Sequence, residues 1–381
     1  MSEQPRLRLA EPRFGPEALE AIGRVLASGN LTQGPVVAEF EAAVAAYCGA
    51  RDGVATTSAT TALELALAAL DIGPGDEVLA ADFTYPATGN AVLQRGAALR
   101  LVDVDRATYC MDPAALEAAL TPRTRVVMTV DVFGLPADYT VIEPLLAERG
   151  ITLLCDAACS LGGAIGDRRT GTFGQLSCFS FHPRKSLTTG EGGMVLTSDP
   201  DLAARMRRLR NHGSERAGWR ATFVEPGFNY RLSDLNAALG LVQVPGFADA
   251  VARRRELAAA LSERVDVIDG VVRQHEPAGH AHPYQAYVVT CDEGLDRGAL
   301  IPALREHGVE STLGTYAMHT EPSFQAACGT QPGDLPVSDA LARRTLALPL
   351  HQGMADGDVD VVAEALEAAI SSQRTSSART S

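Results

Sequence analysis

Apolar and polar positions along the chain switch between two periods. Val37, Phe40, Val44 and Tyr47 recur at helical spacing between Gly34-Pro35 and Gly49, so the pattern predicts a helix with a proline start and a glycine stop. Short β-rich runs then appear at 77–81, 99–102, 126–133, 151–155, 177–181 and 194–197. Helical patterns at 61–70, 113–120, 141–149 and 201–210 separate several of them. Strands alternating with helices predict an α/β fold, with a mainly parallel mixed sheet flanked by helices.

The pattern changes beyond Pro245. A charged helix through Arg253, Arg254 and Arg255 leads to a strand-like run at 284–290, a helix at 300–307 and a last helix at 358–370. These spacings predict a large domain over 1–245 that includes the N-terminal helices, and a smaller C-terminal α+β domain over 246–371. The segment 372–381 is polar and low in complexity, so it is expected to be disordered.

Composition narrows the field. A chain of 381 residues with 46% hydrophobic and 21% charged positions has the balance of an ordinary globular protein with a sizeable core. Its net charge of -14 repels nucleic acid and anionic membrane surfaces, so neither is expected as a partner, and any anionic ligand must be held by local donors. No signal-peptide pattern opens the chain and no uninterrupted apolar window of membrane length occurs, which points to a cytoplasmic protein. Seven cysteines, with Cys155, Cys159 and Cys178 inside apolar segments, fit reduced thiols, and no second Cys or His pair follows at ligand spacing, so no metal is expected.

Three stretches carry chemistry. In Ser177-Cys-Phe-Ser-Phe-His-Pro-Arg-Lys185-Ser-Leu-Thr-Thr-Gly-Glu-Gly-Gly193 a strand delivers a lysine into a turn rich in glycine and threonine, as a rigid sheet edge would present an amine to a bound aldehyde. Lys185 is the only lysine of the chain, which otherwise uses arginine. Thr56-Thr-Ser-Ala-Thr-Thr-Ala leads into a helix, where hydroxyls and free N–H groups make a phosphate site, although a plain Ser/Thr N-cap explains the same residues. Asp156 ends an apolar strand, at the edge where such sheets bind ligands; a carboxylate there can keep a pyridine nitrogen protonated, or simply cap a helix. Tyr85, just after a strand, could stack on such a ring or pack.

With these residues in hand, the chain resembles the DegT/DnrJ/EryC1/StrS family of pyridoxal-phosphate (PLP) sugar aminotransferases from about Ser28 to Pro349. The matching blocks are Ser28-Gly-Asn-Leu-Thr-Gln-Gly-Pro, Ser58-Ala-Thr-Thr-Ala-Leu, Gly73-Pro-Gly-Asp-Glu-Val, Asp156-Ala-Ala, Phe179-Ser-Phe-His-Pro-Arg-Lys, Arg210-Asn-His-Gly and Gly227-Phe-Asn-Tyr-Arg-Leu-Ser-Asp-Leu-Asn-Ala-Ala. The resemblance implies the PLP-dependent aminotransferase fold type I and a homodimer with shared active sites. It implies an internal aldimine on Lys185, Asp156 on the pyridine nitrogen and Tyr85 on the ring. Ala59, Thr60 and Ser180 would hold the phosphate, with Asn229 of the neighbouring subunit. Arg231 is implied for the donor carboxylate and His319 for the substrate side, where a structural histidine is the competing reading. Cys159 stands where many members carry a glutamine to the cofactor's phenolic oxygen, Ala59 replaces a frequent Gly and Tyr85 a frequent Trp or Phe. Family dehydratases have His in place of the lysine, so Lys185 favours transamination.

The implied reaction moves an amino group from glutamate or glutamine to a keto group of a nucleotide-linked deoxysugar, with Lys185 shuttling the proton. Aminosugar and antibiotic pathways use such enzymes. The rivals are the same chemistry on a ketocyclitol or other small ketone, and a PLP-binding regulatory protein without catalysis. A nicotinamide enzyme lacks support, since no G-x-G-x-x-G follows the early strands.

Overall fold

The computed structural model describes residues 5–380. Its central feature is a seven-stranded sheet. In chain order its strands are β1 (Asp52–Thr56), β2 (Glu77–Ala81), β3 (Ala98–Val102), β4 (Thr124–Val130), β5 (Thr152–Asp156), β6 (Leu176–Ser180) and β7 (Gly193–Thr197). Across the sheet the order is β1-β7-β6-β5-β4-β2-β3. The neighbours from β3 to β6 run parallel, and β7 is antiparallel to both β6 and β1.

Alternation along each strand feeds two cores. Val78, Val126, Met128, Leu154 and Cys178 face one cluster, whereas Leu79, Val127, Leu153 and Cys155 face another. A parallel sheet covered on both faces reads as an unbroken apolar run, which is why these strands were legible. The run expected at 126–133 ends at Val130, because Val132–Gly134 turns as a 3-10 helix with Phe133 at φ 60. The strand β1 was not foreseen: Asp-Gly-Val-Ala-Thr is short and half polar. Its outer edge is satisfied by side chains instead of a ladder, Ala55 N donating to Glu41 Oε1 at 2.8 Å and Ala55 O accepting from Arg210 at 2.6 Å.

A separate cluster lies under helix α2 (Phe247–Val265), the antiparallel strands β8 (Val271–Arg273), β9 (Tyr287–Cys291), β10 (Thr312–Leu313) and β11 (Thr345–Leu348), and helix α3 (Asp358–Thr380). Leu7 joins it through a bridge to Val309. The helical stretch Asp234–Val265 is long and apolar enough by composition to cross a bilayer. It bends at Val244–Gly246 and places Leu257, Ala258 and Leu261 in this cluster. Helix α3 continues to Thr380, through the segment whose composition alone suggested disorder. Contacts beyond its apolar face explain this, since the Gln373 amide bonds with both the N–H and the carbonyl of Asp296, and Arg374 pairs with Asp269 at 2.9 Å. Ser381 lies outside the described residues.

Candidate active site

Parallel strands bring their C-terminal ends to one edge, and the odd direction of β7 matters there. Because β6 and β7 form an antiparallel pair, the connection over 181–192 begins and ends at that same edge. Lys185 sits within it, in a turn closed by Lys185 N donating to His182 O at 2.8 Å. Its Nζ donates to Cys159 Sγ at 2.9 Å, so the lysine and the residue just beyond β5 meet.

Asp156 ends β5 and is 5% exposed. Thr88 Oγ1 donates to its Oδ2 at 2.7 Å and Ala158 N to its Oδ1 at 3.2 Å. Burial raises its proton affinity above the ordinary carboxylate value, against the pull of Thr88, Ala158 N and the charge of Lys185. Two bonds leave carboxylate lone pairs free, and a cationic N–H partner is what such a buried acid lacks.

Ser58 caps helix α1 (Ala59–Ala69), with Thr61 N donating to Ser58 Oγ at 3.2 Å and Ser58 N to Thr61 Oγ1 at 3.0 Å. The sequence left open whether this was a cap or an anion site, and the cap is real. It does not consume the N–H groups of Ala59 and Thr60, which belong to the unsatisfied first turn of α1. Gly193 packs against this turn so closely that an added Cβ would lie 2.2 Å from Ser58 O and 2.6 Å from Ala59 N. Gly193 is also the ladder partner of Ser180. Only glycine lets the start of β7 approach, and the approach sets Ser180 beside the helix N-terminus. The geometry therefore suits a phosphorylated pyridine aldehyde: a donor cradle at α1, an incompletely partnered acid at β5 and an amine at 185.

A family model for the DegT/DnrJ/EryC1/StrS aminotransferases matches residues 12–367. The chain belongs to this aminotransferase family. It is similar to the GDP-perosamine synthase of Caulobacter vibrioides, 36% identical over 96% of this chain and 99% of that protein. Among solved structures it is similar to the aminotransferase TlmJ from Streptoalloteichus hindustanus, 33% identical, TM-score 0.90, covering 96% of this chain and 99% of that one. It is also similar to S. venezuelae DesV in complex with a ketimine intermediate, 32% identical, TM-score 0.90, covering 96% and 98%. The chain is thus a PLP-dependent transaminase with the fold of type I aminotransferases.

In this aminotransferase Tyr85 is 68% exposed and meets Tyr316 edge-on, ring centroids 6.3 Å apart. His319 is fully buried, its Nδ1 2.6 Å from Asp82 Oδ2 and its backbone N donating to Asp82 Oδ1 at 2.7 Å. Burial opposes a charge on the ring, but the Asp82 carboxylate outweighs it and raises the His319 pKa. Asn229 and Arg231 lie in bridges to Asn211 and Thr56 beside the end of β1. Arg231 Nη1 donates to Asn211 Oδ1 at 2.6 Å, while its buried Nε has no partner among the described residues. Thr88, bonded to Asp156, and Gly193, packed on the start of α1, were not among the residues singled out from the sequence. The Thr84-x-x-x-Thr88 spacing and the Gly192-Gly193 pair were the signals that could have found them.

Proposed function

We propose that the aminotransferase moves an amino group from glutamate or glutamine to a keto group of a nucleotide-linked deoxysugar, with Lys185 as the cofactor-bearing and proton-moving residue. The observation that carries this reading is the convergence of a sole lysine, a buried acid with free lone pairs and a helix N-terminus on one sheet edge. The similarity to a GDP-perosamine synthase supports a nucleotide-sugar acceptor.

When bound, the cofactor supplies an aldehyde for the donor amine and a ring that takes up the electron pair left at the substrate carbon. The chain does the rest. Asp156 would hold the ring nitrogen's proton, and the ring's positive charge would supply the partner its burial calls for. Ala59, Thr60 and Ser180 would take the phosphate at the positive end of α1, joined by Asn229. Tyr85 would cover one ring face. Cys159, which accepts from Lys185 Nζ, stands at the same edge and would keep the amine aimed along it. Lys185, freed by the incoming amine, would carry a proton between substrate and cofactor carbons as base and then acid. The open Nε of Arg231 suits a donor carboxylate. We assign His319, sealed on Asp82, to supporting the Tyr85 segment from behind.

Asn229 is proposed to act in a homodimer, across a shared site. The hairpin Ser214–Ala217/Arg220–Phe223 supports this, since it holds out Trp219, 94% exposed, and Phe223 on the segment that leads to 229–231. Residues 246–371, with their own apolar cluster, are proposed as a small domain. The seven cysteines are free, which fits a cytoplasmic enzyme.

The test is chemical. Borohydride reduction of the cofactor-loaded protein should leave the cofactor on the peptide containing Lys185, and Lys185→Ala or Lys185→Arg should abolish both turnover and visible absorption. An unmodified peptide overturns the assignment.

A further inference from the structure

Arg254 on helix α2 is a buried cation without an anion. It is 3% exposed and pairs with no carboxylate among the described residues, although its neighbours Arg253 and Arg255 do. Burial alone lowers its pKa to about 10. A guanidinium so placed is tolerated only where each donor finds an acceptor. Its Nε donates to Tyr284 O at 3.0 Å, its Nη2 to Gln285 O at 2.9 Å and to Tyr284 O, and its Nη1 to Gln352 Oε1 at 3.0 Å. The charge is thus spent on two glutamines and the chain that carries them.

Both glutamines lead to the lysine. Gln285 Nε2 donates to Arg184 O at 2.7 Å, and Ser186 N donates to Gln285 Oε1 at 2.9 Å, so one side chain grips the peptide groups on both sides of Lys185. Gln352 Nε2 donates to Ser186 O at 3.3 Å. The same segment abuts the other half of the site at Gly134 (φ 114), where an added Cβ would lie 3.0 Å from Cys159 O and 3.2 Å from Gln285 N. Further along the connection Gln243 brackets Thr188, accepting from its N–H at 3.2 Å and donating to its carbonyl at 2.7 Å, while residues 184–186 themselves lie in no strand or helix.

We propose that Arg254, acting through Gln285 and Gln352, is a positioning residue that fixes the backbone of the Lys185 turn and so aims Nζ toward Cys159 and the reacting carbon. This rests on the reading of Lys185 given above. Lysine cannot replace the fork, because one ammonium cannot reach both carbonyls and the amide in a plane. A loosened turn displaces the amine, and a displacement of about 1 Å costs on the order of a hundredfold in rate.

The experiment compares wild type, Arg254→Lys and Gln285→Ala. In the cofactor-free proteins, amide hydrogen exchange of the peptide spanning 182–188 should accelerate about tenfold in both variants, while peptides from β4 and β5 keep their rates. With cofactor, kcat should fall about tenfold or more and the donor KM stay within about threefold. Unchanged exchange at 182–188 in either folded variant, or acceleration spread evenly over the whole chain, overturns the proposal. If Arg254→Lys does not fold, Gln285→Ala decides alone, since among the described residues its side chain bonds at the turn and nowhere else. Borohydride labelling of wild type separates the two ideas: an unlabelled Lys185 sinks the functional reading, whereas the exchange result stands without cofactor.

Discussion

Three adjacent strands of the sheet, β5, β4 and β2, deliver an aspartate to the same edge, and the two outer ones are partnered in opposite ways. Asp156 at the end of β5 accepts from Thr88 and from one backbone N–H and has room for more. Asp82, just past β2, is closed on both oxygens by the N–H and the imidazole of His319. One fold position is therefore left open or closed according to what the neighbouring chain offers. A carboxylate with free lone pairs waits for a ligand, and one locked by a buried histidine holds its loop in place.

Removing the first should strike the reaction hardest. Asp156→Ala should lower kcat by about a thousandfold or more, in the range of a lost acid–base partner, while the apo protein melts within a few degrees of wild type. Single-turnover kinetics with glutamate would measure it, and a loss below tenfold would place the cofactor elsewhere.

The Asp82 end should answer in stability. His319→Ala leaves a buried carboxylate alone and should cost about 3–5 kcal/mol, and pairing it with Asp82→Ala should cost less than the two single changes together. Additive costs in urea titrations would show that the pair is uncoupled. Because His319 titrates above its ordinary value in the folded chain, its contribution is complete below about 6.5 and fades as pH rises through the folded value. Wild type should lose stability over that window, and the double variant Asp82→Ala/His319→Ala, which removes both titrating groups, should not.

The sequence made the two ends unequally legible. Asp156 stood out because an acid ends a run of Leu-Leu-Cys at a strand terminus, and Lys185 because no other lysine exists. What surrounds them was not readable. Thr88 reaches Asp156 across 68 positions and Gln285 reaches the lysine turn across about a hundred, and no local period encodes such pairings. Gln285 even looked like part of a strand, which the structure starts at Tyr287. The antiparallel direction of β7 was equally hidden, since strand direction depends on the connection and not on residue type. His319 fitted a ligand-side role by motif, and its complete burial came only from packing.

Asp131, between the two ends, sharpens the comparison. It follows β4, is buried, and accepts from Tyr139 Oη at 2.6 Å, Ser160 Oγ at 2.6 Å and Ala137 N at 3.0 Å, while its own N–H donates to Asp156 O at 3.0 Å. It is saturated like Asp82 and adjacent like Asp156. Burial drives its pKa up to about 6, against those three bonds and with help from the charge of Asp156. A raised folded value means that the unfolded chain ionises first, so the folded state loses ground as pH climbs from about 4 to about 6 and then holds level. The span amounts to on the order of 3 kcal/mol. Asp131→Asn cannot ionise and should flatten that part of the stability profile, measured as the difference from wild type in urea midpoints between pH 4 and 7. An identical slope in both proteins would mean that Asp131 releases its proton at the same pH in the folded and unfolded chains, its three donors cancelling the cost of burial.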